Sequence, residues 1–238
     1  MLKTYSASLL ILTLIGTLFG GSLPIPVTAL AYPWTTTPDF TVINSEVGLS
    51  LPDFIQSNYT GDSNVLVGVY IPGVLALSIG QQPANNAGFV TRESDQVTQF
   101  ALASNFGTIG LLAHNDLAGA QFSGISIDQY AILVYGDGRL EYYTINEVQK
   151  YQALSPTSSY SDFINLYNSN ERLSASDLFN RVYGSGGRLV LQTCIAGNGD
   201  PSWGRMFIVA TPATSQVLSV VEQTSRLLEF ASFGLVAY

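Results

Sequence analysis

Cys194, His114 and Arg205 are the residues of this chain whose types and positions suit chemistry. Cys194 is the one cysteine of the sequence, and it lies between the apolar run 189–193 and a polar loop at 196–201. A cysteine thiolate in such a place is a nucleophile, whereas the alternative is a small buried hydrophobic residue without a chemical role. A nucleophilic cysteine works together with a base or a cation, so the other two residues bear directly on this choice.

His114 and Arg205 also lie at the ends of apolar runs. His114 follows residues 108–113 and begins a polar turn, where an imidazole can accept and donate a proton. Asn115 and Asp116 come next, and they either orient the imidazole or form the turn. Arg205 precedes the run 206–211, where its guanidinium can donate hydrogen bonds to an oxyanion. The alternative for both residues is a surface position without a role.

Short apolar runs, punctuated by Gly and Pro, must position these side chains. They are rich in Val, Ile, Leu and Tyr, which is typical of strands. An Asp-Gly pair at 137–138 separates two of them and indicates a β-hairpin. The pattern predicts a mostly β chain that forms a closed barrel or a sandwich, with helices at 160–167 and 174–183 and a tail at 215–238 that is either strand or helix. The runs are 65–71, 74–79, 108–113, 131–135, 139–145, 189–193 and 206–211.

The order of the three residues, and the segments around them, resemble the sortase family. The family's T-L-x-T-C box is matched in its last four positions, with Val190 in place of the first Thr. The A-G-H segment is matched with its Gly missing, and two strand motifs, R-hydrophobic-I-V and I-x-I-P-x-I, are also similar. The resemblance spans about residues 65–211. The matching segments are 191–194, 112–114, 205–209 and 69–74.

This resemblance implies a sortase-like closed eight-stranded β-barrel at 65–238, with short helices in the connections. It also implies a cysteine transpeptidase. In that family the cysteine, here Cys194, attacks the carbonyl of a sorting-signal peptide. The histidine, here His114, protonates the leaving amine, and the arginine, here Arg205, stabilises the oxyanion or positions the substrate. The implied partners are a peptide or protein with a sorting motif and an amine acceptor that resolves the thioacyl-enzyme.

Two alternatives remain open from the sequence. The first is a sortase-like cysteine peptidase, in which water rather than an amine resolves the acyl-enzyme. The second is a non-catalytic secreted β-barrel binding module with an inert Cys194. The reactivity of the thiol and the identity of the products separate these alternatives from the transpeptidase.

The first 31 residues are typical of a secretory signal peptide. They contain one charge, Lys3, then an apolar run at 8–19, and small residues at Ala29 and Ala31. We expect cleavage after Ala31, and the alternative is an uncleaved membrane anchor through residues 8–19. Residues 32–64 are predicted to be a linker and N-terminal extension. The protein is therefore expected to be secreted or extracytoplasmic, with a membrane contact only through an uncleaved leader.

Composition excludes several other functions. Lys and Arg number 9 against 17 Asp and Glu, which gives a net charge of −8 and disfavours binding to nucleic acid. One Cys and one His exclude an intramolecular disulfide, a Cys-rich zinc site and a multi-His metal centre. Asp128, Asp137 and Glu141 are carboxylates of the kind that bind calcium, but they have no EF-hand spacing. We therefore expect no cofactor.

Overall fold

The structure is a computed structural model that describes residues 49–214, and within them it is mostly β, as the sequence predicts. Short helices lie in the connections. The helices are α1 (Leu51–Asn58), α2 (Ala101–Ser104), α3 (Ala175–Tyr183) and a 3-10 helix at Ala118–Gly124. The strands are β1 (Leu66–Ile71), β2 (Leu75–Gln81), β3 (Gln96–Gln99), β4 (Ile109–Leu112), β5 (Tyr130–Tyr135), β6 (Leu140–Ala153), β7 (Phe163–Asn165), β8 (Arg172–Leu173), β9 (Leu189–Gly197) and β10 (Asp200–Pro212).

Eight of these strands close into a barrel, which confirms the predicted closed eight-stranded architecture. Their order around the barrel is β1-β2-β3-β4-β9-β10-β6-β5, and β5 pairs with β1 again. The pairs β2–β3 and β4–β9 are parallel, and the other pairs are antiparallel. The parallel pair β4–β9 places the ends of two strands at one end of the barrel, where polar loops follow.

The barrel has a packed interior and a second apolar cluster on its outer face. Leu189 and Leu191 of β9 belong to the interior cluster, whereas Val190 belongs to the outer one. This split follows from the alternation of side chains along a strand. Helix α3 covers the outer face and begins at Ser174, whose hydroxyl caps it by accepting a hydrogen bond from the backbone N–H of Asp177. The predicted helix at 174–183 is confirmed.

The predicted helix at 160–167 is wrong. Its apolar spacing favours a helix locally, but residues 163–165 form β7, which pairs with the end of β6. The hydroxyl of Ser161 accepts a hydrogen bond from the backbone N–H of Ser155 and donates one to the carbonyl of Asp162. Such short polar side chains compete with helical backbone bonds. Strand pairing to β6, together with burial of Phe163, outweighs the local helical pattern.

The β7–β8 hairpin is tied to α3 through Glu171. One oxygen of this carboxylate accepts a hydrogen bond from the Asn165 amide at 2.6 Å, and the other pairs with the Arg181 guanidinium at 2.7 Å. The Asn165 hydrogen bond, and then the Arg181 hydrogen bond and charge, lower the pKa of Glu171 below its usual value. The hairpin is thereby held beside the outer face of the barrel.

All the predicted strand runs occur as strands, but several boundaries and elements differ from the sequence prediction. Strand β6 continues to Ala153 because it changes partner from β5 to β10. The short strands β3, β7 and β8 were not predicted. The predicted signal peptide, part of the 32–64 extension and the tail at 215–238 lie outside the described residues. Within residues 49–214, no helix is long and apolar enough to cross a membrane.

Candidate active site

Strands β9 and β10, together with the turn that follows β4, bring the predicted site residues to the same end of the barrel. Cys194 of β9 is paired directly with Arg205 of β10. On the other edge of β9, the last register pair with β4 joins Gln192 to Leu112. His114 and Cys194 each lie two residues beyond that pair. Neighbouring strands are about 4.8 Å apart, so the backbones of Cys194 and Arg205 are adjacent, and His114 lies in the turn after β4, on the other side of β9.

The side chains of Cys194 and Arg205 share the outer face of the barrel. Strand alternation places Cys194 on the same face as Val190, which packs in the outer cluster. Arg205 is on the same face as Phe207 of that cluster. Directly paired side chains on one face have Cβ atoms about 5 Å apart. A guanidinium therefore lies within reach of any group attached to the half-exposed thiol.

Arg205 fixes the loop between β6 and β7. Its Nη1 donates to the carbonyl oxygens of Ser202 and Gly204, both at 2.8 Å, and its Nη2 donates to the carbonyl of Pro156 at 3.0 Å. A guanidinium has five N–H groups. These bonds use three of them, and the remaining two are the donors that a substrate oxygen could use. Arg205 thus combines a structural contact with a potential contact to substrate.

The backbone around His114 is held by a tight turn. Its carbonyl accepts hydrogen bonds from the N–H groups of Leu117 at 3.1 Å and Gly119 at 2.9 Å. The hydroxyl of Thr193, the residue before the cysteine, donates to the carbonyl of Ala113 at 3.0 Å. A Cβ at Gly119 would lie against the Thr193 hydroxyl and 2.7 Å from the His114 carbonyl. This close approach requires glycine and sets the histidine loop against the cysteine strand.

The imidazole of His114 is half-buried, and within residues 49–214 its ring nitrogens have no hydrogen-bond partner. The two polar residues that follow it contact other loops. The Asn115 side chain donates to the carbonyl of Pro201 at 2.9 Å. Asp116 forms an exposed ion pair with Arg92 at 3.6 Å. These contacts hold the turn and connect it to the cysteine loop, so the turn-forming interpretation of Asn115 and Asp116 fits this structure.

An apolar groove runs along the outer face to Arg205. It has a volume of about 300 Å³, with Arg205 and Gln192 at its floor and α3 along one side. The Tyr183 hydroxyl donates to the Gln192 side chain at 2.6 Å, and burial raises the pKa of Tyr183 far above its usual value. The phenol therefore remains a donor. The other residues that line the groove are Phe100, Ser158, Ser159, Phe163, Ala175, Leu178, Phe179 and Phe207.

A second cavity, of about 320 Å³, lies at the end of the barrel and is lined by Cys194 and Lys150. Sequence analysis missed Lys150 and Tyr183 as site residues. Lys150 lies in the part of β6 beyond the predicted strand end. In the sequence, Tyr183 has the position of a core residue in an amphipathic helix. Only the pairing of β6 with β10 and the packing of α3 on β9 bring them to the site.

Two of the three carboxylates considered for calcium have other partners. Glu141 pairs with Arg139 at 2.7 Å, and Asp137 accepts a hydrogen bond from the backbone N–H of Arg139. Across residues 49–214 no three His, Cys, Asp or Glu side chains lie close enough to hold a metal ion.

Comparison with known proteins gives solved structures of sortases. No family model matches the chain, and no curated protein does. Sortase A of Listeria monocytogenes is similar at 13% identity, covering 64% of this chain and 89% of that chain, with a TM-score of 0.39. Sortase C1 of Streptococcus suis is 12% identical, covering 69% and 78%, with a TM-score of 0.42. A Clostridium perfringens sortase D5 transpeptidase is 12% identical, covering 70% and 91%, with a TM-score of 0.37. These proteins belong to the family that the sequence motifs resemble.

Proposed function

We propose that this protein is an extracytoplasmic cysteine transpeptidase that cleaves a sorting-signal peptide and joins its acyl part to an amine. The observation that carries the proposal is the direct pairing of Cys194 with Arg205, together with the position of His114 in the turn that follows the neighbouring strand β4. Acyl transfer needs a nucleophile, a proton donor and an oxyanion donor within reach of one carbonyl. The pairing of β9 with β10, and the turn after β4, support the proposal that these three types of group act on one carbonyl.

The donor peptide occupies the groove on the outer face. Its aromatic and aliphatic walls suit apolar side chains, and Ser158, Ser159 and Gln192 offer hydrogen bonds to a peptide backbone. The groove ends at Arg205, opposite the thiol. A peptide that lies along it presents a carbonyl carbon to Cys194 and the carbonyl oxygen to the two N–H groups of Arg205 that its loop contacts leave unused.

The reaction has two acyl-transfer steps. The sulfur of Cys194 attacks the scissile carbonyl carbon, and the oxyanion is stabilised by Arg205. The C–N bond then breaks as His114 gives a proton to the leaving amine, which leaves a thioester on Cys194. In the second step an incoming amine attacks the thioester, loses a proton to His114 and forms the new amide. The Cys194 sulfur is released as the leaving group.

The test is cleavage of a peptide library by the purified protein, with and without added amines, followed by mass spectrometry of the products and of the intact enzyme. Because Cys194 is the one cysteine, a mass adduct at a thiol has one possible location. We expect an acyl adduct, cleaved peptide and an amine-containing product. Cys194→Ala is the matched control and should give neither adduct nor cleavage.

Each outcome distinguishes the transpeptidase from its alternatives. Cleavage through an adduct that yields only the free acid, even with amines present, would identify a peptidase resolved by water. Neither cleavage nor adduct across the library, with an unreactive thiol, would identify a binding module. Equal cleavage by Cys194→Ala would show that the thiol is not the nucleophile.

A further inference from the structure

The cavity at the barrel end is positively charged in an otherwise acidic protein. Its lining contains Lys150 but no Asp or Glu, although the chain has a net charge of −8. Asn115 and Ser123 add polar side chains to the wall. A cavity of about 320 Å³ is large enough for a small ligand of amino-acid size. The chemistry of this lining therefore favours a small anion beside Cys194.

Lys150 is the charged group of this cavity that lacks a partner. Every arginine within residues 49–214 forms an ion pair or donates a hydrogen bond to a carbonyl, whereas the Lys150 ammonium does neither. It is paired in the sheet with Met206 of the interior cluster, so its side chain starts from the inner face at the barrel end. A half-buried cation without a partner is stabilised when an anion binds to it.

The geometry places Lys150 two strands from Cys194. Strand β10 lies between them, with Met206 opposite Lys150 and the adjacent Arg205 opposite Cys194. Two strand spacings give about 10 Å between the backbones. Lys150 approaches from the inner face and Cys194 lies at the end of β9, and both residues line the same cavity, so a molecule bound there lies against both of them.

We propose that this cavity binds the amine acceptor and that Lys150 recognises a carboxylate on it, an inference that rests on the proposed transpeptidase function. The outer groove reaches Arg205 and the cavity reaches Cys194, so the two substrates approach the thioester from different sides. A neighbouring cation disfavours the charged form of an amine. Lys150 thus attracts the carboxylate and also favours the neutral, nucleophilic form of the amine attached to it.

The first test needs no knowledge of the donor peptide. Iodoacetate and iodoacetamide alkylate the same thiol. Iodoacetate carries a carboxylate where iodoacetamide carries a neutral amide. We measure the ratio of the iodoacetate rate to the iodoacetamide rate on Cys194 for the wild type, Lys150→Gln, Lys150→Arg and Arg139→Gln. Arg139 is the matched control because it lies just before the other end of β6, where it pairs with Glu141. We expect the ratio to fall about threefold to tenfold in Lys150→Gln alone.

The second test uses the acyl-enzyme made from a donor peptide found in the library screen. Glycine and β-alanine are compared with glycinamide and β-alaninamide as acceptors in the same four proteins. We expect Lys150→Gln to lose about tenfold in kcat/KM for the carboxylate acceptors relative to their amides, mostly through KM. Lys150→Arg should retain most of the preference for carboxylate acceptors over their amides. A merely structural role of Lys150 would not produce such a preference.

The outcomes separate this inference from the proposed function. If folded wild type and folded Lys150→Gln show the same preference for carboxylate acceptors, the role of Lys150 is overturned. The proposed transfer reaction itself is then unaffected. Equal losses in Lys150→Gln and Arg139→Gln indicate a general charge effect and also overturn it. If the wild type forms no acyl-enzyme, the proposed function fails. The alkylation ratio then decides by itself whether the cavity binds a carboxylate.

Discussion

Replacing Arg205 by lysine separates its two roles, because the substitution keeps the positive charge and removes the planar fork of donors. In the structure the guanidinium reaches the carbonyls of Ser202, Gly204 and Pro156 at once. An ammonium on a flexible stem cannot bridge the two loops and also offer donors to a substrate oxygen. We therefore expect both the acylation rate and the stability to fall.

The two losses have different magnitudes. One oxyanion donor is worth about 3 kcal/mol, or a factor of about 100 in rate. Hydrogen bonds from a charged donor contribute about 1.5–3 kcal/mol each when well formed. Since Arg205 is partly exposed and lysine can retain one of these bonds, we expect a stability loss of about 1–2 kcal/mol. For a chain of this size that lowers Tm by about 4 °C.

The assay measures the rate of thioacyl formation on Cys194 by quenched mass spectrometry, with thermal unfolding of the same samples. Arg188→Lys is the matched control, because Arg188 donates to a single carbonyl, that of Arg181, at 3.3 Å. It should acylate at close to the wild-type rate. If Arg205→Lys acylates as fast as the wild type while its Tm falls, Arg205 anchors the loop and donates nothing to the oxyanion.

Three further predictions follow from the contacts around the site. His114→Ala should slow acyl-enzyme formation about 10²–10⁴-fold with an unchanged Tm, because its ring has no hydrogen-bond partner within residues 49–214; a normal rate would remove its role as acid. Gly119→Ala should lower both Tm and activity, because its Cβ would lie 2.7 Å from the His114 carbonyl oxygen. Gly124→Ala is the control: its Cβ would lie 3.4 Å from Val74, and we expect it to match the wild type in both assays. Glu171→Gln should lower Tm at pH 7. The difference in Tm should disappear as the pH falls below about 4. A carboxylate whose pKa is lowered by folding stabilises the protein fully above the pKa of the unfolded chain, and this stabilisation is lost as the pH falls through the pKa of the folded protein. A difference in Tm that stays constant with pH would contradict this.

Seven of the eight barrel strands were predictable because each carries its own apolar run and its own Gly or Pro boundary, whereas β3 (Gln96–Gln99) carries no apolar run. Residues 131–135 and 139–145 also have an Asp-Gly turn between them, which fixes their pairing as a hairpin. The second half of β6 has no such signal. Its residues 146–152 are mostly polar, and they form a strand because β10 is already present beside them. Phe163 shows the same effect, since pairing to β6 overrides a helical spacing.

The chemistry-bearing residues were predictable from their types and from their places at the ends of apolar runs. Their mutual geometry was not, because the parallel pairing of β4 with β9 joins residues that are about 80 positions apart. Lys150 and Tyr183 give no sequence signal. One is an isolated cation in a polar segment, and the other is an aromatic residue at a helical core position, so only tertiary packing identifies them.

The structure holds the proposed nucleophile, Cys194, in a strand and the proposed acid, His114, in a turn, and this difference suits the proposed two-step acyl transfer. Strand β9 is paired with β10 at Cys194 itself, and it is paired with β4 as far as Gln192, two residues before the cysteine. His114 lies beyond the end of β4, where Thr193 and Gly119 fix the backbone around it but no described group holds the ring. In the first step of the proposed mechanism the imidazole gives a proton to a departing amine, and in the second step it takes one from an arriving amine. The two amines approach from different cavities in the proposed mechanism. A ring that can turn about a fixed backbone serves both, whereas a ring locked by a carboxylate would favour a single direction.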